Sequence, residues 1–454
     1  MADPLRPLRQ LIWLYFWLLL FEGALRKWLL PGLSGPLLIV RDPVALGIYA
    51  LAFRHGVFPR SGFVWWTAML ATMCFVASFA GVGNLKVTLF GLRADFLHLP
   101  LIFVLPRVLR AEDVRRMGFA LLATAPLMAA LAVRQFEGGP GSRWNVGAGG
   151  EVGGQLFAAQ GRVRASGTFS FATGMATYLG LCAAFLLHDL LGRRIYPRWM
   201  TYSALGALVL TLAVSGSRTA VISVGIVCGM VLYMALVKRA HFGAALRPVL
   251  LTMVITAVVA RSTPVFEEGM AVHRDRFASG GGLREGIAVR TAREYAAAWD
   301  RLSTAPLLGV GLGVGTNVGS ALLLGHREFT LGEGEWERVI MESGPLLGGA
   351  FLALRLAIFI AILAKVLRAY SAGLTLPLLL VGATGIDLMT GQFGQPTALG
   401  FAVFTGGLAL AASVPEETGA PENEQPVEPV LPLIPGRSRY AERLHGPGET
   451  PRPP

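Results

Sequence analysis

Residues 199–237 read WMTYSALGALVLTLAVSGSRTAVISVGIVCGMVLYMALV. The runs 199–216 and 219–237 carry no charged residue, and each is close to the ~20 residues an α-helix needs to cross a bilayer. They read as two membrane-spanning helices. The turn between them holds Ser215, Gly216, Ser217, Arg218 and Thr219, so an arginine is kept where two spans meet water. Outward from this pair the same pattern recurs at 11–30, 36–53, 62–81, 88–106, 117–135, 168–190, 246–263, 339–364, 372–389 and 396–413. That predicts an all-α polytopic membrane protein with about twelve transmembrane helices over residues 1–414.

Composition agrees. Of 454 residues, 54% are hydrophobic and 15% charged, where soluble domains carry about 25% charged. An ordinary soluble enzyme is excluded. The first run continues to Leu30 without a small-residue cleavage site, which predicts an uncleaved helix and not a signal peptide. From Pro415 onward the chain is rich in Pro, Glu and Gly, and 415–454 is expected to be a disordered cytoplasmic tail.

The net charge of +12 suits an anionic partner of some kind: nucleic acid, membrane surface or substrate. Position decides. Arg107, Arg110, Arg115 and Arg116, then Arg193, Arg194 and Arg198, then Lys238, Arg239 and Arg247, then Lys365 and Arg368 fall on one side when the spans are alternated. Arg6, Arg9, Arg54 and Arg60 join them. Basic short loops stay cytoplasmic, so both termini are expected there, membrane lipids account for these cations, and nucleic acid is not expected as a partner.

The connections 136–167, 215–219 and 264–338 face the other way and still contain arginine, notably Arg162, Arg164, Arg218, Arg290 and Arg293. Each alone could snorkel to headgroup phosphates. Together they bring guanidinium forks, which match phosphate oxygens in bidentate fashion, to one face. A diphosphate at the membrane surface is the natural partner. The glycine-rich stretch 138–155 is either a flexible lid or a backbone-lined ligand surface. The segment 306–325, PLLGVGLGVGTNVGSALLLG, predicts a re-entrant or broken helix buried in protein. No strand or βαβ pattern surrounds its glycines, so a dinucleotide site is not indicated.

Carboxylates complete the chemistry. Residues 332–338, GEGEWER, precede MESG at 341–344. A partly desolvated Glu333 or Glu335 could take the proton of an acceptor hydroxyl as it attacks an anomeric carbon. The alternative is that they pair with Arg327 and Arg338, and for Glu342 a structural pair is the favoured reading. Glu22, Arg26, Lys27, Arg41, Asp42, Arg93, Asp95 and His98 lie within spans, where charge is costly unless paired or facing a cavity. Structural ion pairs are favoured, with an outward donor cavity as the other reading. His273 and His326 have no second histidine at ligand spacing, so neither metal nor cofactor is expected. Cys74, Cys182 and Cys228 read as small buried hydrophobes.

From about Arg93 to Gly349 the chain resembles the O-antigen ligase and polymerase family of bacterial membrane glycosyltransferases. The resemblance rests on the order RxSGTF at 164–169, SGSRTA at 215–220, arginine ahead of PLLGVGLG, and an acidic element leading into ESGPLLGG at 342–349. EGALRKWLLP at 22–31 and RDP at 41–43 are similar to elements of one branch of that family. The resemblance implies a GT-C-like architecture with periplasmic loops in the bacterial inner membrane, acting without metal. It implies transfer of a glycan from undecaprenyl diphosphate to another glycan or to lipid A core. Arg218 and Arg290 would hold the donor diphosphate, with Arg293 an alternative to Arg290, and Arg164 would shape the entrance. Ligases carry a histidine about nine residues before the glutamate matching Glu342, and here Glu333 stands there. A polysaccharide polymerase is therefore favoured over a ligase. A lipid-linked oligosaccharide transporter or flippase is the competing class, although the two halves of the chain show no repeat, and a non-catalytic scaffold is a third.

Overall fold

The computed structural model describes residues 3–153, 155, 157–192, 194–237, 242–279, 287–326, 331–332 and 334–415. The tail expected at 415–454 lies, but for Pro415, outside them. The fold is helical, and the one β-bridge among the described residues joins Phe157 to Val163.

The chain begins with α1 (Arg6–Ala24), which runs into a π-helical turn, Leu25–Leu29. A short α2 (Ser34–Leu38) leads to α3 (Arg41–Arg54) and α4 (Gly62–Ala77). Then come α5 (Leu85–Leu92) with a π-turn at Arg93–Leu97, α6 (Leu101–Val108) and the long α7 (Ala111–Glu137). After the loop follow α8 (Ala172–Leu191), α9 (Arg198–Val214), α10 (Arg218–Val237), α11 (Phe242–Ser262) and α12 (Pro264–Ser279). The last five are α13 (Ile287–Leu302), α14 (Asn317–Leu324), α15 (Glu335–Ser371), α16 (Leu376–Thr390) and α17 (Pro396–Ala411).

Among the described residues seven helices are long and apolar enough to cross a membrane, and two bent pairs raise that to as many as nine. Shorter apolar helices, α9, α16 and α17, fill the remaining predicted runs. Each apolar stretch found in the sequence is thus helical. Among its described residues the segment 264–338 is largely helical as well. Its α13 lays Tyr295, Ala298 and Leu302, spaced at helical intervals, against Trp336 and Ile340 of α15.

Most of the charges within the predicted spans are paired, as costly buried ions must be. Glu22 meets Arg26 at 3.4 Å and Arg41 at 2.9 Å, while Asp42 meets Arg93 at 2.7 Å and His98 at 3.0 Å. The favoured structural reading matches these contacts, with three of the four pairs running between helical segments. Lys27 Nζ donates to Ser166 Oγ, Gly167 O and Phe169 O at 2.8–2.9 Å. The EGALRKW and RASGTF elements are therefore one physical unit. Cys228 departs from expectation: Cys74 and Cys182 are buried, but Cys228 is exposed on α10, whose apolar surface is turned outward where a bilayer would cover it.

The glycine run 306–316 is not a helix. It threads as a series of turns between α4, α5 and α15, with Gly309, Gly311 and Gly313 at positive φ, and several of its donors are satisfied there. Val310 N donates to Met341 O at 2.9 Å, Gly311 N to Glu342 O at 3.0 Å, and Leu312 N to Ser78 Oγ at 3.0 Å. Irregular backbone at membrane depth needs such internal partners. At Gly309 (φ +74°) a Cβ would come within 2.2 Å of Glu342 O. Opposite it, α15 breaks at Gly344 (φ 77°), just before Pro345, because proline disfavours helical backbone in the residue before it.

Candidate functional site

Where α8 and α10 begin and α16 ends, a cavity of about 260 Å³ opens, lined by Thr177, Thr219, Glu294, Asp387, Gln392 and Gln395 among others. A second, smaller cleft shares the two glutamines and reaches Glu335, Arg338 and residues 315–317. These helix ends lie opposite the basic loops before α7 and α9, since successive spans reverse direction.

Beneath the cavity lies a network of buried ions. Arg338 donates to Asp95 at 2.7 Å, to Glu342 at 2.6 Å, and to Glu335 at 3.0 and 3.1 Å. Arg355 donates to Glu335 at 3.0 Å and closes the C-terminus of α16 through the carbonyls of Leu388 and Gly391, where a cation complements the helix dipole. Glu342 also accepts the Gly315 N–H at 2.8 Å. The network therefore ties α5, α15, α16 and the glycine run together, and the favoured pairing of Glu342 is observed.

Glu335, a candidate base from sequence, is 2% exposed. Its oxygens accept from both arginines and from Phe393 N at 3.0 Å. That makes it an anchor of the α15 N-terminus, with its lone pairs committed to cations. Glu333 lies outside the described residues.

Glu294, which the sequence did not single out, is one of two carboxylates on the cavity wall, with Asp387. It sits on α13 facing the first N–H groups of α15, those of Glu335 and Trp336. Burial raises its pKa above the ordinary carboxylate value, and the charge of Glu335 adds to the shift. Its Oε2 is buried with no hydrogen-bond partner among the described residues. The available signal was its place four residues before Ala298, on the face of α13 that docks on α15. Across the cavity Asp387 accepts from Thr177 Oγ1 at 3.2 Å.

The arginines divide into two groups. Arg164 Nε donates to Phe157 O at 2.9 Å, and Arg276 of α12 donates to the same carbonyl at 3.3 Å. Gly216 lies against this place, its Cβ position 2.8 Å from Ala158 and 4.0 Å from the Arg164 backbone. Arg218 then opens α10, one residue before Thr219 of the cavity wall. The turn 215–219 thus bridges a basic cluster to the carboxylate cavity. Arg276 was not foreseen. Arg162 is turned elsewhere: it stacks on Phe136, donates to Phe136 O at 3.2 Å and pairs with Glu268 at 2.6 Å. Arg293 is exposed on α13 beside Glu294. Position 290 lies one helical turn before Glu294, and its side chain is outside the described residues.

The glycine-rich loop is pinned. Asn145 Nδ2 donates to Gln135 O at 2.6 Å, Trp28 Nε1 to Arg143 O at 2.9 Å, and Gly149 N to Arg26 O at 3.0 Å. Of the two readings this favours a fixed surface over a lid. Among the described residues no three His, Cys, Asp or Glu side chains gather as a metal site.

No family model matches the chain, and no curated protein sequence matches it. A chain of the solved structure described as "Structural coordination of polymerization and crosslinking by a peptidoglycan synthase complex" is similar over 78% of this chain and 96% of that one. The TM-score is 0.37 and the identity 17%.

Proposed function

We propose that this polytopic protein is an inverting membrane glycosyltransferase that extends a polysaccharide from an undecaprenyl-diphosphate-linked donor. The observation that carries the reading is the turn 215–219, which joins a guanidinium cluster to a cavity holding two carboxylates. Arg164, Arg218 and Arg276 receive the donor diphosphate, with Arg290 or Arg293 on α13 as a further cation. Charge that builds on the departing diphosphate is stabilised by these fixed cations. The acceptor sugar occupies the cavity, where Asp387, Gln392 and Gln395 offer the hydrogen-bonding groups that sugar hydroxyls require.

The acceptor oxygen attacks the anomeric carbon from the face opposite the diphosphate. As that bond forms, the anomeric C–O bond breaks, its electrons leave on the diphosphate, and the hydroxyl proton passes to Glu294. The base role thus moves from Glu335, whose oxygens are held by Arg338 and Arg355, to Glu294. The Oε2 of Glu294 has no hydrogen-bond partner among the described residues, while Asp387 accepts from Thr177. The acceptor is a growing glycan, so a polymerase is favoured over transfer to lipid A core. The protein sits in the bacterial inner membrane with this site periplasmic, opposite the basic short loops.

The test is purified full chain in detergent, given a lipid-linked repeat unit, with glycan length as the readout. Wild type makes longer chains, and Glu294→Gln loses about 10²–10⁴-fold in rate. A wild type that binds the donor but never lengthens it would overturn the transferase reading in favour of transport.

A further inference from the structure

At the end of the molecule remote from that cavity, the turn Pro59–Arg60–Ser61 separates two hollows. One, of about 280 Å³, is lined by Ser61, Phe103, Arg107, Ile362, Lys365 and Leu410 among others. It has two cations at its rim and apolar side chains inside. The other is a groove of about 670 Å³ between α3, α4 and α5, walled by Phe53, Phe58, Trp65, Ala68, Leu89 and Phe96 among others. That volume is within the ~300–1,000 Å³ of ordinary ligand clefts. Pro59 lines both hollows, so they meet at one place.

Three cations surround this meeting point from stretches far apart in sequence: Arg60, Arg107 and Lys365. All three are exposed, and none makes a side-chain ion pair among the described residues. At the same end Arg116 pairs with Glu112 at 2.5 Å, whereas exposed Arg54 and Arg368 make no ion pair among the described residues either. It is therefore the hollows beside Arg60, Arg107 and Lys365 that set these three apart. The groove is open to the surroundings of the helices, with Trp65 72% and Phe53 64% exposed. An apolar trough that ends at unpartnered positive charges has the polarity of one kind of molecule, a hydrocarbon chain with an anionic head. Basic pockets between spans on the cytoplasmic side hold phosphate headgroups for the same reason.

We infer that this end of the protein binds an anionic glycerophospholipid. Its phosphate rests on Arg107 and Lys365, and an acyl chain lies past Pro59 in the α3–α4–α5 groove. Arg60 faces the headgroup from the groove side. A zwitterionic lipid would bring its own cation to a site that already has three, so charge selects among lipids, while the aromatic wall accepts any chain. The headgroup cations lie at the opposite helix ends from the proposed transfer site, while the groove runs from them as far as Leu89 and Phe96, beside Asp95.

The full chain in detergent is titrated with palmitoyl-oleoyl phosphatidylglycerol or with the matching phosphatidylcholine, and the thermal unfolding midpoint is followed. Phosphatidylglycerol is expected to raise the midpoint saturably and phosphatidylcholine to leave it in place. The double substitution Arg107→Gln, Lys365→Gln should raise the half-saturating concentration at least tenfold. Ala68→Trp, at an exposed position in the groove, should do the same with the cations intact, and it serves as the test if the double variant does not fold. Equal shifts from both lipids, or an unchanged titration in these variants, would overturn the inference. So would a stronger response to undecaprenyl phosphate than to phosphatidylglycerol, which would make the carrier lipid the occupant.

Discussion

Arg338 donates to Asp95 at 2.7 Å across 243 residues of chain, and both side chains are almost wholly buried. This contact fastens the π-turn after α5 to the first turn of α15. Removing one partner of a buried pair leaves the other charge uncompensated, which costs about 3–5 kcal/mol. Asp95→Ala is therefore expected to unfold at markedly lower SDS concentration than wild type, followed by tryptophan fluorescence. An unchanged midpoint would show that Glu335 and Glu342 alone satisfy Arg338.

Glu294 makes activity and stability run in opposite directions with pH. Its folded pKa is raised by burial and by Glu335, so the folded state holds this proton more tightly than the unfolded chain, whose carboxyl titrates near ~4.3. The group's stabilising contribution is present below the unfolded pKa and is lost as pH rises through the folded value. Proton acceptance needs the ionised form. The acid limb of the rate profile should therefore lie above ~4.3, and Glu294→Gln should remove that limb while equalling or exceeding wild-type stability at neutral pH. A slow variant that is also less stable at neutral pH would assign Glu294 to the α15 cap instead.

The helices were legible because a bilayer-spanning segment announces itself through length and apolarity, as 199–237 does. The irregular run 306–316 was legible too, since glycines at Gly309 and Gly344 mark backbone-to-backbone contact. Pairing partners were not. Nothing local to Asp95 points to Arg338, and nothing beside Arg93 points to Asp42, because such contacts depend on how distant helices pack. Glu294 was hidden for a related reason. It follows Arg293 on a polar-looking helix, and only the docking of Tyr295 and Ala298 on α15 reveals which face is turned inward.

Gly309 combines a φ of +74° with a Cβ position 2.2 Å from Glu342 O. Gly309→Ala meets both a disfavoured backbone conformation, which costs of order 1–3 kcal/mol, and a clash with the backbone of α15 at Glu342. The variant should show a lower thermal midpoint and faster proteolysis after Leu308. Gly349→Ala, where a Cβ meets nothing within 4 Å, should leave both measurements unchanged.

Lys27 holds three oxygens of the segment before α8. Lys27→Met keeps the apolar stem but leaves Phe169 O without this donor, while Gly167 O keeps Gln135 Nε2 at 3.1 Å, and a buried unsatisfied group costs about 1–3 kcal/mol. Arg164 lies two residues before Ser166, so the loss should reach the basic cluster as well as the fold. Reduced stability together with weaker donor binding is expected, with Lys27→Arg recovering only part of each, since a planar fork cannot reproduce the ammonium's three directions.

Arg164 and Arg276 give the sharpest test of the diphosphate site, because both donate to the Phe157 carbonyl, at 2.9 and 3.3 Å. An anion placed beside that carbonyl would be met by two guanidinium forks at once. A hydrogen bond to a charged group contributes about 1.5–3 kcal/mol. Arg276→Ala should therefore raise the inhibition constant of inorganic pyrophosphate by roughly ten- to hundredfold, by the ~1.4 kcal/mol that each factor of ten represents. Arg162→Ala should scarcely change it, because Arg162 is engaged with Phe136 and Glu268. Equal effects from the two substitutions would mean that pyrophosphate responds to overall surface charge, and the cluster around Phe157 would lose its claim to the donor.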